Sequence, residues 1–173
     1  ACGSGNFLTE TYLSLRRLEN QTIAQLIAAQ KGQVEGQIIL GGATSVNVKV
    51  SISHFYGIEI NDFAVTVAKT ALWIAESQML KETEAIIREH LDFLPLKTNA
   101  YIIEGNALRL DWETVVPKTK LSYIMGNPPF IGHQWRSDEQ AADMENVFCE
   151  LPKHGKLDYV TAWYKKAADY MVN

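Results

Sequence analysis

Residues 121–130 read Leu-Ser-Tyr-Ile-Met-Gly-Asn-Pro-Pro-Phe. This mostly apolar run ends in a Gly-Asn-Pro-Pro break, which predicts a buried strand followed by a stiff loop. Two prolines fix two φ angles and remove two N–H donors, so the Asn127 amide and the Pro128 carbonyl project from a rigid platform. Phe130 adds a flat apolar face. Such a platform suits a planar aromatic amine, for example a base flipped out of its stack. An ordinary Pro-Pro turn at a strand end is the alternative.

The composition limits the class of protein. The chain has 173 residues, of which 47% are hydrophobic, and a net charge of −4, which suits one domain with its own core. No long basic stripe occurs, so charge does not support binding of nucleic acid by this segment alone. Two cysteines, Cys2 and Cys149, are too few for a disulfide framework and favour a reducing, cytoplasmic setting. We find no signal peptide, no membrane-spanning run and no histidine spacing typical of zinc.

The N-terminal segment predicts a glycine turn that opens a helix. An apolar series at helical spacing runs from Leu8 to Gln30, with Gly32 as the stop. A Gly-x-Gly turn at Gly3 and Gly5 lets the backbone approach a ligand and directs free N–H groups at it. An ordinary tight turn is the alternative. The third glycine of a dinucleotide fingerprint would fall at Leu8 and is absent, which counts against a nicotinamide or flavin enzyme.

Three further segments carry strand patterns. Residues 46–52 alternate between apolar and polar side chains, so we interpret residues 33–53 as a strand or hairpin insertion in the core fold. Residues 55–60 predict a buried strand with Glu59 near its C-terminal end. An acidic residue at this place in a parallel sheet commonly binds the hydroxyls of a ribose, and a surface glutamate is the alternative. Residues 101–103 predict another short strand.

The remaining motifs are turns and helix caps. Asn106 follows the last of these strands, where it could bind an adenine edge or simply form the turn. Asn61 or Asp62 caps a helix that has Phe63 on its predicted apolar face and that either breaks near Lys81 or continues to Leu91. Trp135 and Arg136 lie in residues 131–157, a loop with one short helix, where they could contact substrate or pack. A capping box for that helix is formed by Ser137 and Gln140, and the last helix is capped by Asp158.

Taken in chain order, these parts resemble the class I S-adenosylmethionine-dependent methyltransferases. The similarity is strongest to the amino-methyltransferases that modify adenine N6 in DNA. Residues 1–7 resemble the second part of their first motif, and residues 56–60 their ribose-binding strand. Residues 105–108 resemble their adenine-binding turn, with Asn where Asp is commoner. Residues 127–130 match the catalytic motif of the group.

The order of motifs is that of the γ arrangement. The sequences of residues 56–60, 126–132 and 157–164 are similar to those of MmeI-like restriction-modification polypeptides. The resemblance therefore implies a Rossmann-like, doubly wound α/β sheet over residues 1–173. It also implies a first strand before residue 1 and last strands after residue 173, so we expect this segment alone to be weakly active or inactive. In such polypeptides, nuclease and target-recognition domains share the chain, and DNA is the partner. The implied cofactor is S-adenosyl-L-methionine, without a metal.

The resemblance also implies roles for the matching residues. The methionine end of the cofactor would be lined by Ala1, Cys2, Gly3, Gly5, Asn6 and Phe7. Its ribose and adenine would be contacted by Glu59, Ile60, Asn106, Ala107 and Pro129. The target amine would be held by Asn127 and the Pro128 carbonyl, with Phe130 stacked on the base and Pro129 completing the catalytic motif. A fifth motif would border the cofactor at Asp158 and Tyr159.

Other acceptors and another class of protein stay open at this point. Methyltransferases of guanine N2 in RNA or of a protein glutamine amide share the resemblance, although they more often carry Tyr at the position of Phe130. A cofactor-binding module without activity is a further alternative. The intact glycine positions, Glu59 and Asn127 count against such degeneration.

Overall fold

The structure is a computed structural model, and it describes residues 2–32, 48–87, 99–151 and 153–171. In chain order, the helices and strands of this part are α1 (Asn6–Gly32), β1 (Tyr56–Glu59), α2 (Asp62–Ile87), β2 (Tyr101–Glu104), α3 (Asp138–Val147) and α4 (Thr161–Met171). Short 3-10 turns lie at Ile52–His54, Trp112–Thr114, Lys118–Lys120 and His154–Lys156.

The two strands form a parallel sheet, which confirms the predicted α/β class. Tyr56 lies opposite Tyr101 and Glu59 opposite Glu104. Helix α2 connects the strands and packs on both of them, as a parallel pair requires, because the chain must return to the starting edge of the sheet. The rings of Tyr56 and Tyr101 stack with their centroids 5.1 Å apart, which fixes this register on one face. Both strands therefore end at the same edge, where Glu59 lies.

The helix boundaries follow local capping. Helix α2 begins where the Asn61 side chain accepts a hydrogen bond from the Ala64 N–H at 3.0 Å, and it continues through Lys81 without a break. Leu91 lies outside the described residues. Helix α3 begins with the predicted capping box, in which Ser137 and Gln140 exchange side chain to backbone hydrogen bonds. These ends agree with the sequence because a cap depends on only four or five neighbouring residues.

The buried apolar residues form two clusters. The first lies between α1, α2 and the sheet and comprises Leu8, Tyr12, Ile52, Phe55, Val65, Ala68, Leu72, Ala75, Met79, Ala100 and Ile102. The second lies under α3 and α4 and comprises Leu108, Met144, Phe148, Tyr159 and Ala162. In the first cluster, Tyr12 and Phe55 meet edge to face at 5.7 Å. The segment that follows β2 passes from one cluster to the other.

The predicted buried strand at residues 121–126 is wrong. Within the described part of the chain this segment pairs with no strand, and Tyr123 is 81% exposed. An apolar run becomes a strand only when a neighbouring backbone satisfies its N–H and C=O groups, and neither β1 nor β2 runs along it. Leu121 and Ile124 instead line an apolar cavity of about 460 Å³, together with Gly57 and Ile58 of β1.

The predicted strand through residues 46–52 is also wrong where the structure describes it. Residues 33–47, with the predicted hairpin turn, lie outside the described residues. Residues 48–51 are not a strand, and Ile52 begins a 3-10 turn. The Ser51 hydroxyl accepts a hydrogen bond from the Ser53 N–H at 3.2 Å, which caps this turn. The N–H groups of residues 49 and 50 donate to the Glu19 carboxylate, so a side chain takes the place of a partner strand.

Gly5 supports a testable prediction for the packing of the glycine turn. A Cβ atom at position 5 would lie 2.8 Å from the Ala68 Cβ, and the φ of 82° already disfavours a side chain. At Gly3, φ is 57°, but a Cβ atom there would have no neighbouring heavy atom within 4 Å. We expect Gly5→Ala to lower the free energy of unfolding by about 3 kcal/mol, and Gly3→Ala by about 1 kcal/mol. Urea unfolding followed by circular dichroism measures both, and equal losses would contradict the close packing.

Candidate functional site

The glycine turn is fastened to β1. The Cys2 N–H donates to the Ile58 carbonyl at 3.0 Å, and the Gly5 N–H donates to the Cys2 carbonyl at 3.1 Å. Gly57 permits this approach, because a Cβ there would lie 3.0 Å from the Cys2 sulfur. Burial and the nearby Glu59 charge raise the pKa of the Cys2 thiol, so it stays protonated at neutral pH. The turn is thus held rigidly at the C-terminal edge of the sheet, with α1 leading away from it.

Glu59 is buried at this edge, with 7% of its surface exposed. One carboxylate oxygen accepts a hydrogen bond from the Gly3 N–H at 2.8 Å. The other accepts from the N–H groups of Ile60 at 2.9 Å and Asn61 at 3.3 Å. The Glu59 carbonyl also accepts from the Gly105 N–H at 2.8 Å. A carboxylate has about four acceptor positions, so the side chain retains one for a ligand.

The segments whose N–H groups bind Glu59 lead directly to exposed apolar side chains. Ile60 follows Glu59 directly, Phe63 lies in the first turn of α2, and Phe7 lies in the first turn of α1, and all three are mostly exposed. The sequence pattern predicts a core role for Phe63 that the structure does not support. Asn6 is exposed at the start of α1, where its side-chain oxygen accepts from the Ser4 hydroxyl at 3.2 Å. A ligand at Glu59 would meet apolar surface beside a buried charge.

The turn after β2 is organised by Asn106. Its side-chain oxygen accepts from the Leu108 N–H at 2.9 Å, and its amide nitrogen donates to Asp143 at 2.9 Å. Ala107 is buried, and its carbonyl accepts from the Trp112 indole N–H at 2.8 Å. The structure is therefore compatible with both interpretations of Asn106. The side chain forms the turn, and its oxygen keeps a second lone pair that could bind an adenine edge.

Lys166 of α4 holds the same turn from the other side. Its ammonium group donates to the carbonyls of Ala107 at 2.8 Å, Leu108 at 2.9 Å and Leu110 at 2.5 Å. It also lies 5.5 Å from the centre of the Trp112 ring, within the range of a cation–π contact. Burial lowers the pKa of Lys166. All three donors of the ammonium are used on backbone oxygens, so Lys166 fixes the turn and is not available to a ligand.

Asp143 of α3 is 2% exposed and collects three side-chain hydrogen bonds. The donors are Arg109 Nε at 2.6 Å, Asn106 Nδ2 at 2.9 Å and the Tyr159 hydroxyl at 2.9 Å. Burial by itself would raise the pKa of Asp143, but the bonds from Arg109, Asn106 and Tyr159 outweigh it, and the pKa lies below its ordinary value. Asp143 is thus an anion that joins α3 to the turn after β2 and to the residues before α4.

Residues 127–130 form an exposed platform that is attached to the rest of the protein at the residue that follows it. Phe130 is 69% exposed, and Asn127 and Pro129 are exposed too. Within the described part of the chain, no protein group hydrogen-bonds the Asn127 side chain. Immediately after Phe130, the Ile131 N–H donates to the Asp158 carboxylate at 3.1 Å, and the Ile131 carbonyl accepts from the backbone N–H of residue 159 at 3.0 Å. The platform is therefore stiffened by prolines within and fastened directly behind.

The apolar cavity brings three of these parts around one space. Cys2 and Phe7 of the glycine turn, Ala107 of the turn after β2, and Pro128 of the platform all line it. The polar groups of Glu59, Asn106 and Asn127 are not among its lining residues, so the cavity lies beside the predicted binding groups and is not itself the polar site. Ala1, predicted to contact the cofactor, lies outside the described residues.

The segment after the platform carries one exposed aromatic residue. Trp135 is 83% exposed, so the packing alternative is not supported for it among the described residues. Its backbone N–H closes a turn on the Gly132 carbonyl at 2.9 Å. Arg136 donates to the Gly155 carbonyl at 2.6 Å, which gives this side chain a structural role. For Trp135, contact with a substrate stays a prediction.

The described residues contain no group of three or more His, Cys, Asp or Glu side chains placed to hold a metal ion. No helix in this part of the chain combines the length and apolar character needed to cross a membrane.

Comparison with known proteins decides the family. The family model for the MmeI DNA-methyltransferase domain matches residues 1–173. The chain belongs to this family. It is 40% identical over 173 residues to DNA methyltransferase A of Bacillus subtilis (strain 168), covering 98% of this chain and 18% of that protein. The solved structure of the type IIL restriction-modification enzyme MmeI in complex with DNA matches with a TM-score of 0.82 and 37% identity, over 99% of this chain and 22% of that chain.

Membership of the MmeI DNA-methyltransferase domain family confirms the resemblance seen in the motifs. The chain spans about a fifth of the length of both relatives. The family does not by itself reveal Asp143 and Lys166, which the sequence pattern also does not single out. The sequence signal that could identify them is a charged residue on the helix face that packs against the core. Asp143 lies four residues before Val147, and Lys166 three residues after Trp163, on faces that otherwise pack against the second cluster.

The contacts of Asp158, which the resemblance places beside the cofactor, suggest a test. Its carboxylate accepts from the N–H groups of Ile131 and Val160. We expect Asp158→Ala to accelerate hydrogen exchange of the Ile131 amide about tenfold, because a hydrogen bond to a charged group is lost. Asp138→Ala, at an exposed position in the first turn of α3, is the matched control. Unchanged exchange combined with weaker cofactor binding would favour direct contact of Asp158 with the cofactor instead.

Proposed function

We propose that this domain transfers a methyl group from S-adenosyl-L-methionine to the exocyclic N6 amine of a flipped-out adenine in DNA. The observation that carries the proposal is the exposed platform of residues 127–130, which has acceptors and an aromatic face but no protein partner for the Asn127 side chain in the described part of the chain. Membership of a DNA-methyltransferase domain family supports the reaction class. The acceptor atom and the cofactor are those that the motif resemblance implies, and the chemistry of the residues is compatible with both.

The residues at the sheet edge fit the proposed cofactor. Glu59 offers a buried carboxylate with one acceptor position left, which suits a ribose hydroxyl. The exposed Ile60 and Phe63 suit the face of an adenine ring, and Asn106 offers an oxygen to its amino group. The glycine turn, with Gly3 at a φ of 57°, leaves room for the amino acid end. When bound, S-adenosylmethionine supplies an electrophilic methyl group on sulfur.

The platform would activate the target amine by hydrogen bonding. An aromatic amine is a weak nucleophile because its lone pair is delocalised into the ring. The Asn127 side-chain oxygen and the Pro128 carbonyl, placed out of the ring plane, would favour a pyramidal nitrogen. Its lone pair would form the new N–C bond as the bond between the methyl group and the cofactor's sulfur breaks, with that electron pair left on sulfur. Phe130 would stack on the base and align it. Positioning and preorganised acceptors would supply most of the acceleration, and the exposed Asn127 gives the released proton a path to water.

The wider setting is also proposed by similarity. MmeI is a restriction-modification enzyme solved in complex with DNA, and we infer the same type of protein here. Because this chain has a net charge of −4, most contacts to DNA phosphates would come from recognition elements elsewhere in the protein, which could also include a nuclease. The unpaired thiols of Cys2 and Cys149 suit action in the reducing cytoplasm.

We further propose that β1 and β2 belong to a larger, doubly wound sheet of the Rossmann type. Leu121, residues 123–126 and Tyr56, Gly57 and Ile58 of β1 line the same apolar cavity. A strand placed there would pair with backbone groups that lack a strand partner in the described residues. The similarity to the MmeI structure at a TM-score of 0.82 supports this arrangement.

The cofactor part of the proposal is tested at Glu59. Calorimetric titration of the full-length protein with S-adenosylmethionine should give binding that weakens by about 2 kcal/mol in Glu59→Ala, because a charged acceptor is lost. Glu104→Ala is the matched control, since Glu104 lies opposite Glu59 in the sheet register and is exposed. The conservative variant Glu59→Gln removes the charge and nearly keeps the shape of the side chain, so comparing it with Glu59→Ala separates the two effects on cofactor affinity. Absence of binding by the folded wild-type protein would refute the proposal.

The acceptor part is tested at Asn127. We expect Asn127→Ala to lower kcat for methyl transfer to DNA by roughly 100-fold or more, without changing cofactor affinity, because the side chain contacts only the target. Asn146→Ala, at an exposed position in α3, is the control. Transfer is measured with radiolabelled cofactor on DNA, RNA and protein acceptors. Transfer to RNA or protein in preference to DNA would replace the proposed acceptor, and full activity of the variant would remove Asn127 from the mechanism.

A further inference from the structure

The orientation of the Asn106 amide is fixed from two sides. An asparagine side chain has an oxygen that accepts and a nitrogen that donates, and the two ends have nearly the same shape. Asp143, as a carboxylate, can only accept, so it binds the Asn106 nitrogen, at 2.9 Å. The Leu108 N–H can only donate, so it binds the oxygen, at 2.9 Å. Both neighbours therefore require the same orientation.

We propose that Asp143 is a positioning residue that holds the Asn106 oxygen toward the cofactor site, where it accepts a hydrogen bond from the amino group of the cofactor's adenine. This inference rests on the proposed function, because it concerns the same cofactor. Asp143 contacts neither the cofactor nor the target base. Its effect is to make an amide behave as a pure acceptor, which selects a ring carrying an amino group over one carrying a carbonyl at the same position.

The surroundings of Asp143 keep it suited to this role. A carboxyl group is a pure acceptor only while it is ionised, and burial alone would favour the neutral form. Arg109 Nε at 2.6 Å and the Tyr159 hydroxyl at 2.9 Å stabilise the charge. A protonated Asp143 could donate to the Asn106 oxygen, and it would then favour the reversed amide against the orientation that the Leu108 N–H requires. The ion pair with Arg109 therefore maintains the orientation as well as the charge.

The pair also explains why the two residues differ. An aspartate at position 106 would be an acceptor in either orientation of its side chain, but it would place a second carboxylate on the 2.9 Å contact with Asp143. Two carboxylates so close repel each other. One member of the pair must be a donor, so Asn106 with Asp143 is a compatible combination. The exchanged combination, with aspartate at position 106 and asparagine at position 143, would be compatible as well, since it keeps one donor and one acceptor and presents an oxygen to the ligand.

This symmetry defines the experiment. The full-length protein is titrated with S-adenosylhomocysteine and with S-inosylhomocysteine, which differ at the amino group of the ring. The wild type should prefer the adenosyl ligand about tenfold. The Asn106 oxygen can accept a hydrogen bond from the amino group of the adenosyl ligand but would face the carbonyl oxygen of the inosyl ligand. Asp143→Asn should reduce this preference by about threefold or more, because Arg109 Nε would keep the oxygen of the new amide, and its nitrogen would face Asn106 and oppose the orientation that the Leu108 N–H requires. Asn106→Asp should weaken binding of both ligands.

The double variant decides between positioning and a merely structural role. Asn106→Asp combined with Asp143→Asn should restore both the affinity and the adenosyl preference to within about threefold of the wild type. A structural role for Asp143 would weaken both ligands equally and leave their ratio unchanged, which would overturn the inference, as would a wild type without preference or a double variant without rescue. Failure of the wild type to bind S-adenosylhomocysteine at all would instead overturn the proposed function.

Discussion

The candidate site depends on one carboxylate that is surrounded by backbone N–H groups. Glu59 is buried at the end of β1 and would be costly there as an unpaired charge. The N–H groups of Gly3, Ile60 and Asn61 compensate it, and they belong to the glycine turn and to the start of α2. Its own carbonyl binds Gly105 after β2. A single residue thus determines how the turns at the sheet edge sit relative to one another, before any ligand is considered.

The turn after β2 and the platform depend on residues that come much later in the chain. Lys166 donates hydrogen bonds to three carbonyls of the turn. Asp143 accepts hydrogen bonds from Asn106 and Arg109, which belong to the same turn. Asp158 and the backbone of residue 159 hold the residue behind Phe130. Helices α3 and α4 are therefore the support of the site, although none of these anchoring groups needs to contact a ligand. Rigid support of this kind is what positioning of reacting groups requires.

The sequence predicts those features that a few neighbouring residues decide. The cap at Asn61, the capping box at Ser137 and the short strands around residues 56–59 and 101–104 depend on local patterns, and the structure agrees with them. Residues 121–126 have the composition of a strand, but pairing depends on another segment, which a local pattern does not contain. Phe63 has the spacing of a core residue and lies exposed, because spacing defines a helix face and not what covers it. Asp143 and Lys166 required the fold, since the partners that define their roles, Arg109 and Leu110, are 34 and 56 residues away.

Satisfied polar groups are distributed unevenly over the candidate site. Glu59 and Asp143 use most of their acceptor positions on protein groups, and Asp158 uses one carboxylate oxygen on two N–H groups. The side chain of Asn127 has no protein partner in the described residues and is exposed on a segment stiffened by two prolines. Free acceptors with little entropy left to lose are well placed to bind a donor strongly. In the proposed function, Asp143 and Asp158 serve for positioning, and a neutral amide, a carbonyl and an aromatic ring are left to face the substrate. Neutral acceptors would suit the proposed target amine, because a carboxylate there would compete for a proton.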